Sequence, residues 1–334
     1  MQMLVGPEIS VVPAGVEHYE AILEAVKTIP FTVSPLRPWS LEDVRSWLVA
    51  LVQTRWKFIV EQPQFETLIA WDGRKVHGWI VLQHGTEEGA TGDPQTTIVP
   101  PSHVSTPALL EEATRRARAH GSRVLTGNIL TNDELQNATY RENGMVAEFQ
   151  RIVLSLKEYG RDSLKQRAFE RASRSVAVRR AEYSDQLTLL RLATECVNLM
   201  FHASRSDQDV ERIQTRFIES YATLNVEDEK SHVWIAETAE GDPCAALQID
   251  PRRDHLLDGT WQAYISDISV SPEYWGRAAG VALVARAIPV LQEMGITYLA
   301  GDISTTNERV WSLSQKFGFH VESYHYVKIL EDQP

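Results

Sequence analysis

The chain repeats itself at one constant spacing. Gly121 recurs as Gly295, Leu125 as Leu299, Gly127 as Gly301, Ile129 as Ile303, Thr131 as Thr305, Glu134 as Glu308 and Gly144 as Gly318, each pair 174 residues apart. Glycines at turn positions and aliphatic residues at strand positions, held in register over such a window, mark a duplicated domain. A solenoid repeats every ~20–50 residues and is excluded. The chain must fold as two similar units, and 334 residues suffice for two separate cores. The expected division is a first domain over 1–156, a polar and charged linker over 157–175, and a second domain over 176–334.

The elements follow the same order in both halves. Residues 9–13 read as a strand and 18–28 as a helix, and Ser40 with Asp43 forms the capping pattern of a second helix running to about Thr54. Asp72-Gly73, between apolar runs at 67–71 and 76–84, signals a hairpin. In the second half, a strand at 176–180 precedes helices at 186–200 and 207–221 and paired strands at 233–238 and 244–250. A strand at 263–270, a helix at 281–294, a strand at 298–303, a helix from Asn307 and a strand at 321–329 complete it.

Between the strand at 263–270 and the following helix lies Ser271-Pro272-Glu273-Tyr274-Trp275-Gly276-Arg277-Ala278-Ala279-Gly280. A strand that turns through small residues into a helix leaves backbone N–H groups aimed at one point. The helix dipole adds partial positive charge there, so the turn suits a phosphate or pyrophosphate. Further on stands Asn307-Glu308-Arg309-Val310-Trp311-Ser312-Leu313-Ser314-Gln315-Lys316-Phe317-Gly318-Phe319. The two segments together resemble the CoA loop, usually Q/R-x-x-G-x-G/A, and the distal N-x-x-A-x-x-L-Y-x-K-x-G-F stretch of the GNAT superfamily of acyl-CoA-dependent N-acyltransferases. The resemblance runs through essentially the whole chain, twice. It implies two fused GNAT-like domains of α/β class, each a mixed, mostly antiparallel sheet flanked by helices.

The resemblance also implies a site. Acetyl-CoA or another acyl-CoA is the expected co-substrate, its pyrophosphate held by Gly276, Arg277, Ala278, Ala279, Gly280 and Val281. In such folds the strand before the loop splays from its neighbour, so the backbones of Ile268, Ser269 and Val270 are expected along the pantetheine arm. Asn307 contacts that arm, and the Val270 N–H serves as oxyanion donor. Transfer to an amine needs a base: Asp302, ending the strand at 298–303, or Asp267, within the central strand. An Asp at a strand end also commonly bonds the next turn. Ser314 stands where the family's thiolate-protonating tyrosine belongs. Ser314, a water, Tyr324 or Tyr326 is left as the donor. The loop departs from the family pattern by Trp275 at its first position and Ala278 at its first glycine.

The first half differs where phosphate must sit. Pro101 to Gly121 is three residues shorter than Pro272 to Gly295, the loop expected at 102–107 has no glycine, and Pro107 lacks an N–H. Asp133 stands where Asn307 does, and Tyr140 where Ser314 does. The first half is expected to be a pseudo-domain without CoA.

Composition narrows the partners. Net charge is −12, with 24 Asp/Glu against 14 Lys/Arg over 176–334, which disfavours nucleic acid and favours a cationic acceptor such as a small-molecule or peptide amine. Two cysteines, Cys196 and Cys244, form neither a disulfide framework nor a metal motif, so no metal and a reducing, cytoplasmic setting are expected. No leader is read in residues 1–7, no stretch is long and apolar enough for a membrane, and a monomer (an internal pseudo-dimer) or a homodimer fits. The expected reaction is direct acyl transfer to a primary amine in a ternary complex. Two alternatives stay open: a non-catalytic acyl-CoA-binding or sensing protein, and an acyltransferase for a protein amine with the first domain as docking module.

Overall fold

The structure, a computed structural model, describes residues 9–159, 176–199, 201–226, 228, 231–256 and 259–330. The expected leader-free start, the linker from residue 160 on and the end of the helix read at 186–200 lie outside these residues. The chain forms two compact units, residues 1–148 with 323–334, and residues 149–322.

In the first unit, β1 (Ser10–Pro13), β2 (Phe65–Trp71), β3 (Val76–Glu87), β4 (Pro94–His103) and β5 (Val124–Leu130) lie side by side in that order. The sixth strand is β12 (His320–Ile329), antiparallel to β5 with Tyr326 opposite Gly127. Only β4 and β5 run parallel within it. The helices are α1 (Tyr19–Thr28), α2 (Leu41–Glu61), α3 (Pro107–Ala119) and α4 (Glu134–Glu142). Ser40 caps α2 as expected: its hydroxyl accepts the Asp43 N–H at 3.1 Å while Asp43 accepts the Ser40 N–H at 2.7 Å. The hairpin turns at Asp72, which accepts from the Arg74 and Lys75 N–H groups; the His77 side chain and those N–H groups hold its carboxyl down to about 2. α3 and α4 cover one face of the sheet through Leu109, Leu110, Ala113 and Tyr140, and α1 and α2 cover the other through Ile22, Val26, Leu48 and Trp56.

The second unit repeats the plan. β7 (Ala177–Arg180), β8 (His232–Glu237), β9 (Pro243–His255), β10 (Trp261–Val270) and β11 (Ile296–Ser304) follow in order, with β10 and β11 parallel. Its sixth strand is β6 (Val146–Ser155), antiparallel to β11 with Arg151 opposite Asp302. α5 (Gln186–Cys196) and α6 (Asp207–Ala222) pack on one face through Leu189, Leu192 and Tyr221. α7 (Ala279–Glu293) and α8 (Glu308–Phe317) pack on the other through Leu283, Ala287, Leu291 and Phe317.

The units differ from the divisions at 1–156 and 176–334 by an exchange of strands. Each half of the chain supplies the sixth strand of the other's sheet. Burial fixes the exchange: Tyr326 is fully buried against Tyr140 in the first core, while Ile152 and Leu154 lie in the second. Tyr324 and Tyr326 belong to the first unit, where the Tyr326 hydroxyl donates to Asn137 at 2.9 Å.

Candidate active site

β10 opens the second unit's sheet. It pairs with β11 only as far as Ile265 opposite Gly301, but stays paired with β9 through Val270. Register shifts on β10 between Gln262 and Tyr264, and between Ile265 and Asp267, bend it away. Among the described residues, no strand thus pairs with 266–270 on the β11 side. The Ser271 N–H bonds the Cys244 carbonyl at 2.9 Å, so by strand alternation the Val270 N–H points to the open side. The Val270 carbonyl, on that same side, accepts the Trp275 indole N–H at 2.8 Å and the Cys196 thiol at 3.3 Å.

Eight residues, 271–278, join β10 to α7. Pro272–Tyr274 forms a single 3-10 turn, and the chain then passes through two left-handed residues, Gly276 at φ 81° and Ala278 at φ 64°. Ala278 is the one non-glycine with positive φ among the described residues, a conformation that costs an L residue about 1–2 kcal/mol. It is the N-cap of α7 and brings no side-chain cap, so the helix's first N–H groups stay open toward the loop. The φ of Gly280 is not positive, and a Cβ there would meet Ile268 Cδ1 and Val270 Cγ2 at 3.5 Å each, an ordinary van der Waals contact between α7 and β10. Arg309 lies over the Trp275 ring at 4.2 Å and Arg277 over Tyr274 at 5.2 Å, so two cations border the loop. Asn307 caps α8, accepting the Val310 N–H at 3.1 Å.

The two carboxylates sit in unlike places. Asp302 is partly exposed and its oxygens are taken: Arg151 donates to both, at 3.1 and 3.2 Å, and the Tyr264 hydroxyl donates at 2.7 Å. Asp267 is buried on the α5–α6 side of β10, where the Tyr221 and Ser269 hydroxyls both donate to its Oδ2, the latter at 2.6 Å. Burial pushes the Asp267 carboxyl up, opposed in part by Ser269, Tyr221 and the Ile268 N–H. Burial and the Asp267 charge push the Tyr221 hydroxyl well up. The Ser314 hydroxyl donates to the Val310 carbonyl at 2.9 Å, inside its own helix. The structure thus brings Asp267, Ser269, Val270 and the loop together, and ties Asp302 to β6. Tyr221 was missed by sequence reading, although Ile213, Phe217 and Tyr221 recur every four residues and so define the buried stripe of α6.

The first unit has the same opening, with β4 and β5 paired only from Gln95–Val124 to Ile98–Gly127, but its equivalents are closed. Only three residues, 104–106, separate β4 from α3, against the eight of the second unit. The loop expected at 102–107 is shorter because β4 continues through Pro100 and Pro101 to His103, by a register shift against β3. Pro107 is the first residue of α3 and removes one of its open N–H groups. Gln136 accepts the Val104 N–H at 3.1 Å, Asp133 accepts Thr32 at 2.9 Å, and the fully buried Tyr140 reaches to 3.0 Å of where a Gly127 Cβ would stand.

Residues 194–319, which hold β10, the loop, α7 and α8, match the Acetyltransferase (GNAT) family. No curated protein sequence matches the chain. Among solved structures, the chain is similar to a GCN5-related N-acetyltransferase from Sphaerobacter thermophilus, with a TM-score of 0.53 and 11% identity, covering 98% of this chain and 97% of that one. It is similar to a fungal GCN5-related glucosamine N-acetyltransferase region within a multi-domain GH3 β-N-acetylglucosaminidase, with a TM-score of 0.52 and 14% identity, covering 98% of this chain and 39% of that one. A tandem GNAT protein from the clavulanic acid biosynthesis pathway aligns over 98% of this chain and 100% of its own, with a TM-score of 0.44 and 14% identity. Residues 194–319 thus match the Acetyltransferase (GNAT) family model, and the chain shares the fold of these N-acetyltransferase structures.

Proposed function

We propose that the second unit binds one acyl-CoA and transfers its acyl group to a primary amine within a ternary complex. One observation carries this reading: the opened β10 edge, the eight-residue loop and the uncapped start of α7 converge, and they do so only in the family-matched half. The pyrophosphate takes the N–H groups of Gly276 and of residues 278–281, with the Arg277 side chain beside them, since its own N–H bonds the Tyr274 carbonyl; the pantetheine arm lies along 268–270 beside Asn307, and the thioester oxygen meets the Val270 N–H. The amine nitrogen attacks the thioester carbon, the C–N bond forms, the C–S bond breaks, and the nitrogen gives up a proton. Asp267 is the acceptor of that proton, through the Ser269 or Tyr221 hydroxyl that donates to it, and burial makes its carboxylate a stronger base than an exposed one. The thiolate leaves without a tyrosine and takes its proton from water. The acidic second half fits a cationic amine, as a small molecule or at the end of a peptide. Among the described residues no helix is long and apolar enough to cross a membrane.

A panel of small primary amines with acetyl-CoA, followed by detection of free CoA thiol, tests this; amine-dependent thiol release is expected. One observation favours a second reading, acyl-CoA binding without turnover: Ser314, in the position of the family's proton donor, spends its hydroxyl on the Val310 carbonyl. Tight acyl-CoA binding with no thiol release across the panel decides for it.

A further inference from the structure

The pseudo-domain carries a cluster that acyl transfer does not use. Glu66 on β2 and His84 on β3 are diagonal neighbours on the sheet face covered by α3, and His120 is the C-cap of α3. Their ligating atoms all lie within 4.8 Å of one another. His84 is 4% exposed, and its Nε2 faces the Glu66 Oε2 at 3.5 Å. Both atoms are buried and neither makes a hydrogen bond.

The other side of the His84 ring is fixed. Its Nδ1 meets the Thr96 hydroxyl at 2.8 Å, and that hydroxyl meets the Ser122 hydroxyl at 2.7 Å, both residues buried. When Nδ1 carries the proton and Thr96 donates onward to Ser122, a bare Nε2 lone pair faces a carboxylate oxygen. When the chain of donors runs the other way, an Nε2–H faces that oxygen at a distance too long for a good hydrogen bond. Neither arrangement satisfies the pair, whereas a cation between them satisfies both.

We propose that Glu66, His84 and His120 bind a divalent transition-metal ion of the zinc class in the first unit. Nitrogen and oxygen ligands at about 2.1 Å on a tetrahedral ion stand about 3.4 Å apart, which the 3.5 Å gap matches. His120 is exposed and its ring is now stacked on His84 at 3.8 Å, so it turns about its side-chain bonds to bring a nitrogen onto the ion; water completes the set. The surroundings are those of a metal ligand's outer shell. Arg116 holds the other Glu66 oxygen at 2.8 Å and is itself offset by Glu112, and Thr96 orients His84. The C-terminal end of α3 adds partial negative charge. The ion pins α3 to β2 and β3, in the half that has lost its loop.

The test uses the full chain, stripped with chelator and dialysed against zinc alone. One zinc per chain is expected, with Tm rising as zinc is added and a visible d–d band of tetrahedral type when cobalt replaces it. His120→Ala, at an exposed position that leaves the fold intact, and Glu66→Gln are each expected to weaken zinc binding at least about tenfold. His84→Gln is the sharper variant, read only where its circular dichroism is native. A wild-type chain that retains no zinc overturns the proposal. So does zinc retained with unchanged affinity by both His120→Ala and Glu66→Gln.

Discussion

Replacing Asp267 by Asn separates two effects of a buried carboxylate. The amide keeps an oxygen to accept from Tyr221 or Ser269, so the network holds its shape, but it takes up no proton. A positioned base contributes about 10²–10⁴-fold to rate, so kcat is expected to fall at least about 100-fold while acyl-CoA affinity holds. Stability moves the other way. Burial raises the folded carboxyl above its ordinary 3.8, so between 3.8 and that raised value the folded chain keeps a proton that the unfolded chain releases. The contribution is full below the window and is lost as pH rises through it. Ionising a buried carboxylate forfeits several kcal/mol of hydration, against about 1 kcal/mol regained at each charge-assisted hydrogen bond. Asp267→Asn is therefore expected to exceed the wild type by on the order of 1 kcal/mol near pH 8 and to lose that advantage near pH 4. Urea denaturation at both pH values and single-turnover acyl transfer near pH 8 measure the two effects. A stability gap that ignores pH, or an unchanged kcat, refutes the reasoning.

Other perturbations follow from the same geometry. Asp302→Asn removes an Arg151 pair at a partly exposed site, so it is expected to cost at most about 1 kcal/mol and to leave kcat nearly unchanged across about pH 6–9; a loss near 100-fold restores Asp302 as the base. Ala278→Gly relieves a left-handed alanine worth about 1–2 kcal/mol against about 0.4–1 kcal/mol of added unfolded-state entropy. It is expected to hold or raise Tm and to tighten acyl-CoA binding by calorimetry, and weaker binding counts against the loop. Isothermal titration of the intact chain with acyl-CoA is expected to give a stoichiometry near one, the same in Tyr140→Phe; two sites of similar affinity show that the first unit still binds.

Local patterns in the sequence carried much of this. The Ser40–Asp43 cap, the Asp72-Gly73 hairpin and the loop between β10 and α7 each rest on residues adjacent in the chain, and each is legible from them. Relations across the sheet were not. Nothing near Asp302 announces Arg151, which reaches it only because β6 lies beside β11. Nothing near Asp267 announces Tyr221, some 46 residues earlier. The identities of Gly127 with Gly301 and Gly144 with Gly318 aligned the halves correctly, but they say nothing of which sixth strand belongs to which sheet. β6 and β12 each mix buried with partly exposed residues along their length, so the pattern alone does not say which edge either one fits. The shortened first loop was visible as missing residues, although the extension of β4 through two prolines was hidden by their usual exclusion from strands.

The exchange of strands explains why a half without a loop stays attached. A fragment cut at residue 176 contains the loop, α7, α8 and every residue proposed to touch acyl-CoA, so by sequence it is a complete domain. In the structure it lacks β6 and keeps a β12 that belongs to the other sheet. Ile152, Val153, Leu154 and Leu156 are all buried in the second unit, and at about 1.5–3 kcal/mol each their loss amounts to on the order of 6–12 kcal/mol. That is comparable to the whole stability of an ordinary domain, about 5–15 kcal/mol. β11 would also be left as a bare edge of buried residues, prone to pair with another chain. The fragment 176–334 is therefore expected to be unfolded or aggregated and to bind no acyl-CoA. A fragment of residues 146–322 is expected to fold and bind, because it holds all six strands of one unit. Native circular dichroism and full acyl-CoA affinity in the 176–334 fragment would show that the strands are not exchanged.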